Sequence, residues 1–220
     1  MKTTILLPAA LVTFALAVSV QAAVVSVNLA PNTSKSETGF DFWTTGDNST
    51  PAATTINGVG LSLDTASSIR SIDRNASPQF DNGTGDPLDN LTQTWWGDES
   101  GFSFVIDGVD LGSGTYDWTS WHADHNDVSG TMDIEYSVDG GTNWTLAFDN
   151  FDIVAETDAG DFGPNPASFQ FTANGTDDVW VRYTAETTNF TLVNGFEVAV
   201  VPEPSSFALL AGCFGLAWIM

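Results

Sequence analysis

Short runs of alternating apolar and polar residues fill the middle of the chain, separated by clusters of Gly, Asn, Asp and Pro. Period-two alternation bounded by turn residues is typical of half-buried β-strands. The predicted strands cover residues 24–29, 39–44, 54–63, 101–106, 115–122, 131–138, 144–148, 168–172, 179–186 and 192–200. About ten strands at this spacing predict an all-β domain, a single antiparallel β-sandwich of jelly-roll type.

The clearest local signal is a hairpin in residues 133–146, where alternation gives way to Asp139-Gly140-Gly141 and then resumes. The segment resembles the Asp-box of sialidases and related propellers, Ser-x-Asp-x-Gly-x-Thr-Trp, matched here at Ser137, Asp139, Gly141 and Trp144. Asn143 stands where that family has Thr. A propeller repeats the motif once per blade, whereas this chain has one copy, so the turn is interpreted as a hairpin within a sandwich.

Both ends of the chain carry apolar segments outside the predicted domain. Lys2, the apolar run 5–20 and Gln21-Ala22-Ala23 form the pattern of a secretory signal peptide, residues 1–23, with cleavage after Ala22 or Ala23. The sandwich is then predicted to span 24–200, which suits one domain with a sizeable core.

The last segment, 201–220, joins Pro202-Glu203-Pro204 to the apolar run 207–220. It resembles the PEP-CTERM sorting signal of Gram-negative bacteria, which an exosortase-type membrane protease reads, although the family's Arg-rich end has no counterpart after Phe207. The resemblance implies a precursor anchored transiently in the inner membrane by a hydrophobic helix and then released to the cell surface or extracellular matrix. As a helix, the run would rise about 21 Å, less than the roughly 30 Å hydrocarbon core.

The composition limits which partners the chain can bind and how the domain can be stabilised. The chain has 28 acidic and 5 basic residues and a net charge of -23, which argues against nucleic acid as a partner because such binding needs cationic contacts. The single Cys, Cys213, lies in the tail, so the exported domain is expected to fold without disulfides.

The strand pattern also resembles galactose-binding-like and carbohydrate-binding-module-like jelly rolls, at 111–118 and at 192–198. The resemblance implies a sugar ligand. The candidate stacking residues are Trp95, Trp96 and Trp121, since indole faces suit the apolar face of a pyranose. Adjacent Trp95 and Trp96 would point to opposite faces of a strand, so at most one of them is expected in the core. The alternative is that the tryptophans are sandwich core and rim.

Both histidines lie in one acidic segment, 118–127. Imidazole with carboxylate suits a transition metal, and carboxylates with loop carbonyls suit calcium, so the candidate metal ligands are His122, Asp124, His125 and Asp127. A solvated loop is the alternative, and no cofactor is otherwise expected.

No catalytic motif stands out: there is no Gly-x-Ser-x-Gly, no His-Glu-x-x-His and no phosphate-binding glycine loop. The sequence therefore predicts an exported, non-enzymatic surface or matrix protein with polysaccharide as its candidate ligand. Two alternatives stay open: a secreted carbohydrate-active enzyme, which a carboxylate pair about 5 to 9 Å apart in a deep cleft would favour, and a purely structural surface protein, which would have neither a cleft nor an exposed Trp.

Overall fold

The computed structural model describes residues 23–33, 37–64, 69–73, 91, 94–99, 101–125, 130–156, 165–187 and 190–202. The predicted signal peptide, all but Ala23, and the tail from Glu203 onward lie outside these residues. The described part confirms the all-β prediction. Its elements are β1 (Ala23–Ala30), β2 (Asp41–Thr44), β3 (Thr54–Ile56), β4 (Val59–Asp64), β5 (Arg70–Asp73), β6 (Thr94–Gly97), β7 (Phe102–Ile106), α1 (Gly108–Leu111), β8 (Ser113–Trp121), β9 (Ala123–His125), β10 (Gly130–Ser137), β11 (Thr145–Glu156), β12 (Pro166–Asn174), β13 (Val179–Ala185) and β14 (Gly195–Val200).

Two large sheets make up the sandwich. One has five strands in the order β12-β8-β14-β1-β2, and the other has seven in the order β3-β4-β7-β13-β10-β11-β9. The pairs are antiparallel except β1–β2 and β9–β11, which are parallel and lie at sheet edges. A small third sheet pairs β5 with β6. No helix among the described residues is long and apolar enough to cross a membrane.

The core between the sheets is aromatic. Trp118 of β8 stacks on Phe196 of β14 with ring centroids 4.6 Å apart and an interplanar angle of 12°. Phe104 of β7, in the opposite sheet, reaches Phe196 at 4.8 Å between ring centroids. All three side chains are fully buried, so the two inner faces interdigitate as a β-sandwich requires.

The strand predicted over 54–63 is wrong, because it is a hairpin of β3 and β4. Asn57 and Gly58 have φ of 51° and 84°, and Ile56 pairs directly with Val59 across them. Two consecutive residues with positive φ form the tight turn that matches strand twist, and Asn-Gly is its preferred sequence. The strands β5, β6 and β9 were not predicted from the sequence pattern.

Candidate functional site

The two adjacent candidate tryptophans are both buried, Trp95 at 2% and Trp96 at 0% exposure, so the expectation that at most one lies in the core is wrong. Their strand is covered on both faces. Trp95 Nε1 donates to Asp124 Oδ1 at 2.9 Å, and the Trp96 ring meets Trp43 edge-on at 5.2 Å between centroids. Backbone bonds between Trp96 and Val193 tie β6 to the sandwich. The two rings lie on opposite faces of β6, as the alternation predicted, but both faces are covered by the rest of the protein.

Trp121, the third candidate, is 8% exposed. The ring of Phe40 packs edge-on against it, with centroids 5.4 Å apart and an angle of 70°. None of the three predicted stacking residues therefore presents an open ring face in this structure.

The candidate metal ligand His122 is fully buried and has two internal partners. Its Nδ1 lies 2.6 Å from the carbonyl oxygen of Leu192, and its Nε2 lies 2.7 Å from Ser120 Oγ. Because a carbonyl only accepts, Nδ1 carries the proton, and Ser120 donates to Nε2. Burial lowers the pKa of His122 to about 4, against the opposing effect of the Leu192 carbonyl, so the imidazole is neutral at pH 7.

Among the other candidate ligands, only Asp124 has its side chain in the described part of the chain. Asp124 is fully buried and accepts from Trp95. The backbone of His125 belongs to β9, but its side chain and the whole of Asp127 lie outside the described residues. Within the described ranges, no three His, Cys, Asp or Glu side chains are grouped so that they could hold a metal ion. A metal site that includes His125 and Asp127 stays a prediction.

A buried amide, the side chain of Asn194, ties this segment to neighbouring strands. Asn194 Oδ1 accepts from the Ala123 backbone N–H at 2.7 Å, and its Nδ2 donates to the carbonyls of Thr94 at 2.8 Å and Ala123 at 3.0 Å. One side chain thereby joins β6, β9 and the approach to β14. The Ser120–His122 pair has the atoms of a nucleophile and a base, but both residues are 0% exposed, and no substrate could reach them without opening the core.

A different cluster lies on the outer face of the seven-stranded sheet. Along β13, Val179, Val181 and Tyr183 are fully buried, so Trp180 and Arg182 point away from the core. The register places Arg182 opposite Glu135 and Trp180 opposite Ser137 of β10. Trp144, just before β11, completes the cluster.

We call Trp144, Trp180, Arg182 and Glu135 the indole patch. Arg182 donates from Nε and Nη2 to Glu135 Oε2 at 2.9 and 2.6 Å. The Arg182 guanidinium carbon lies 3.9 Å from the centroid of the Trp144 ring, and Trp144 meets Trp180 edge-on at 6.4 Å and 81°. The side chains of Arg182 and Glu135 are 37% and 23% exposed, and both indoles are half-buried. The patch is therefore an ordered, partly open surface.

The turn between β10 and β11 positions Trp144, and the predicted hairpin is confirmed. Asp139 Oδ1 accepts from Ser137 Oγ at 2.7 Å and from the Asn143 backbone N–H at 2.9 Å, and Asp139 Oδ2 accepts from Asn143 Nδ2 at 2.6 Å. These bonds, led by that of the Asn143 backbone, lower the pKa of Asp139 to about 2. Asn143, which departs from the Asp-box pattern, thus contributes two of the bonds that close the turn.

The same turn packs on the second indole. Gly141 has φ of +81°, and a Cβ added there would lie 3.3 Å from two ring atoms of Trp180. Glycine satisfies both the left-handed backbone and the close approach. The turn and the patch consequently form one unit.

The sequence contained a signal for this patch. The run Val179-Trp180-Val181-Arg182-Tyr183 alternates, and this alternation alone assigns Trp180 and Arg182 to one face of a strand. From the sequence, Trp144 and Trp180 were expected only among the tryptophans of the core or rim. The contact between Trp144 and Arg182 depends on the turn and could not be derived from alternation.

Comparison with protein-family models finds no match, and no curated protein matches the chain. Among solved structures, TmCBM61 in complex with β-1,4-galactotriose is similar at 13% identity over 65% of this chain and 88% of that chain, with a TM-score of 0.33. A family 35 carbohydrate binding module from Clostridium thermocellum is similar at 14% identity over 63% and 96% of the two chains, with a TM-score of 0.34. Bacteroides uniformis β-glucuronidase 2, as a calcium binding mutant, is similar at 15% identity over 81% of this chain but 18% of its own, with a TM-score of 0.42. These likenesses assign no ligand and no site residue to this chain.

Proposed function

We propose that this chain is an exported, non-enzymatic protein of the cell surface or extracellular matrix whose sandwich binds polysaccharide through the indole patch. The observation that carries the proposal is the pairing of two half-buried indoles with a hydrogen-bonded Arg182–Glu135 pair on the outer face of the seven-stranded sheet.

The chemistry of the patch suits a sugar chain. Indole offers a large apolar area to the apolar face of a pyranose, and because Nε1 of Trp180 is buried, the sugar hydroxyls would contact Arg182 and Glu135 rather than that N–H. A guanidinium has five N–H donors, of which the bonds to Glu135 use two, and a carboxylate has several acceptor positions. Ring stacking and hydroxyl recognition are therefore available side by side.

The patch is also preorganised. Trp144 lies against the Arg182 guanidinium, and Trp180 is covered on one side by Gly141. A surface that is already ordered loses less conformational entropy when a ligand binds.

The non-enzymatic part of the proposal is supported by the state of Glu135. Glycosidases use two carboxyl groups, one as acid and one as base or nucleophile. Glu135 is the one carboxylate of the patch, and it is paired through two hydrogen bonds with Arg182, which favours its role as a fixed acceptor.

The location is supported by the sequence at both ends. The sandwich ends with β14 at Val200, and Pro202 follows two residues later, so Pro202-Glu203-Pro204 directly follows the domain. We propose processing by an exosortase-type membrane protease after transient anchoring in the inner membrane of a Gram-negative bacterium, with exopolysaccharide as the partner outside the cell.

Affinity electrophoresis through neutral bacterial and algal polysaccharides tests the binding proposal. The probe is the full-length chain in a detergent without sugar head groups, run with calcium and with EDTA. Removal of a central aromatic side chain costs about 2 kcal/mol in binding, so Trp144→Ala should weaken retardation roughly 30-fold. Val109→Ala, at an exposed apolar residue on α1, is the matched control and should bind normally. No retardation of the native chain by any polysaccharide would overturn the proposal.

A further inference from the structure

A groove lies where β12, the edge strand of the five-stranded sheet, faces the β10–β11 hairpin. This groove has a volume of about 370 Å³, within the usual range for sites that hold small ligands. Its lining consists of Thr115, Tyr136, Val138, Thr145, Gln170, Phe171 and Thr172.

The floor of the groove is aromatic and fixed by packing. Phe171 is 3% exposed and stacks on Tyr116 with centroids 5.6 Å apart and an angle of 22°. Tyr136 stacks on Phe169 at 5.0 Å and 15°, which bridges the two sheets. Because each ring already has a partner in the sandwich, the floor does not need a ligand to hold its shape.

The polar part of the lining, called the rim, consists of hydroxyl and amide residues, and along β12 the exposed Gln170 and Thr172 alternate with buried Phe171. Thr115 Oγ1 and Thr172 Oγ1 lie 3.3 Å apart, and Gln170 Nε2 donates to Asp117 Oδ1 at 2.9 Å. A hydroxyl provides one donor and two acceptor positions, and a carboxamide provides two of each, so these bonds leave capacity for a ligand.

None of the seven lining residues is charged, in a chain with 28 acidic and 5 basic residues. An anionic ligand would enter this groove without a counter-charge, which is costly once water is displaced, and the carboxylate beside the lining, Asp117, already accepts a hydrogen bond from Gln170. A purely apolar ligand would cover the hydroxyl rim without replacing its hydrogen bonds to water. An aromatic floor with an uncharged polar rim suits an uncharged polyhydroxylated ligand.

We propose that this groove is a second binding site, for one uncharged sugar unit. It is independent of the indole patch, because Tyr136 packs between the sheets whereas Glu135 and Ser137, its neighbours on β10, belong to the opposite face. The two sites use no residue in common.

The test is nuclear magnetic resonance of the full-length chain titrated with β-linked disaccharides of glucose, galactose, mannose and xylose. The Gln170 side-chain amide reports on the groove, and the indole N–H groups of Trp144 and Trp180 report on the patch. Thr172→Val removes one rim hydroxyl and should weaken binding at the groove roughly three- to tenfold. Thr119→Val is the matched control, since Thr119 forms the equivalent hydroxyl pair with Ser168 at 3.0 Å on the same two strands outside the groove.

The outcomes separate the two proposals. Shifts at Gln170 that Thr172→Val weakens and Thr119→Val does not support the groove site. Shifts confined to the two indoles overturn it and leave the proposed function standing. Shifts confined to the groove support it and count against the patch. No shift with any disaccharide overturns the groove proposal, and the polysaccharide experiment then decides the patch alone.

Discussion

Acidification from pH 7 to about pH 4.5 should destabilise the sandwich through His122. The imidazole is buried with its Nδ1 proton on the Leu192 carbonyl and its Nε2 accepting from Ser120, an arrangement that only the neutral ring can make. Burial lowers the pKa of His122 from 6.5 to about 4 in the folded protein. Below pH 6.5 the unfolded chain therefore binds a proton that the folded chain does not. The free energy of unfolding consequently decreases as the pH is lowered.

The loss of stability follows from the difference between the folded and unfolded pKa values of His122. One pKa unit corresponds to about 1.4 kcal/mol, so the full separation is worth about 3 kcal/mol, of which roughly 2 kcal/mol is lost by pH 4.5. The loss begins near the unfolded pKa of 6.5 and levels off below the folded pKa of about 4. Among the described residues, Tyr183 is a titratable side chain whose ring contacts the imidazole, and because burial raises its pKa it stays protonated throughout.

Relief of charge repulsion works in the opposite direction, because a chain of net charge -23 loses negative charge as the pH falls. The test must therefore compare variants rather than pH values alone. His122→Asn keeps a donor for the Leu192 carbonyl but does not titrate. Its free energy of unfolding should be lower at pH 7, and the gap between it and the native chain should narrow by about 2 kcal/mol at pH 4.5.

Urea unfolding of the full-length chain, followed by tryptophan fluorescence at both pH values, measures the gap. Val109→Ala, at an exposed apolar residue on α1, is the control and should keep the native pH dependence. If His122→Asn and the native chain change in parallel between the two pH values, the reasoning about the buried neutral imidazole is refuted.

Four further predictions concern the turn, the ligand and the tail. Gly141→Ala should destabilise the protein more than Gly140→Ala by about 1 kcal/mol, measured by urea unfolding. Both positions have positive φ, but only a Cβ at 141 would contact the Trp180 ring. Equal losses of stability in the two variants would mean that the ring contact costs nothing. Asp139→Asn should lower the melting temperature at neutral pH, and the difference from the native chain should fade as the pH falls through about 2, the folded pKa of Asp139; a difference that persists in strong acid would exclude the carboxylate as its source. At low salt, the protein should bind highly methyl-esterified pectin better than the same pectin after de-esterification, because the protein is strongly acidic and repels the free carboxylates. Equal binding of the two pectins would show that charge does not select the ligand. Glu203→Ala should leave the chain in the inner-membrane fraction of its host, and normal release would remove the case for a sorting signal.

Sequence patterns predicted the sandwich well where strands have one buried and one exposed face. The alternation along residues 179–183 matches their burial, and the glycine turn at 140–141 does join two antiparallel strands. The Asn57-Gly58 turn could also have been predicted from the sequence, because Asn-Gly is typical of a hairpin turn. Residues 54–63 should therefore have been predicted as two strands.

The failures come from tertiary context. Trp95 and Trp96 were separated correctly onto two faces, but no local pattern says that β6 is covered on both. The burial of His122 likewise depends on Leu192, which is 70 residues away in sequence. The His and Asp segment that was predicted as a loop is partly a strand, β9. It forms by parallel pairing with β11, which is also distant in sequence.

The most direct test of the central claim is to follow the indole N–H resonances of the full-length chain during titration with a neutral polysaccharide that retards it in electrophoresis. The signals of Trp144 and Trp180 should shift while those of the buried Trp95, Trp96 and Trp118 stay in place. Binding that leaves the Trp144 and Trp180 signals unchanged would contradict the assignment of the indole patch as the polysaccharide site.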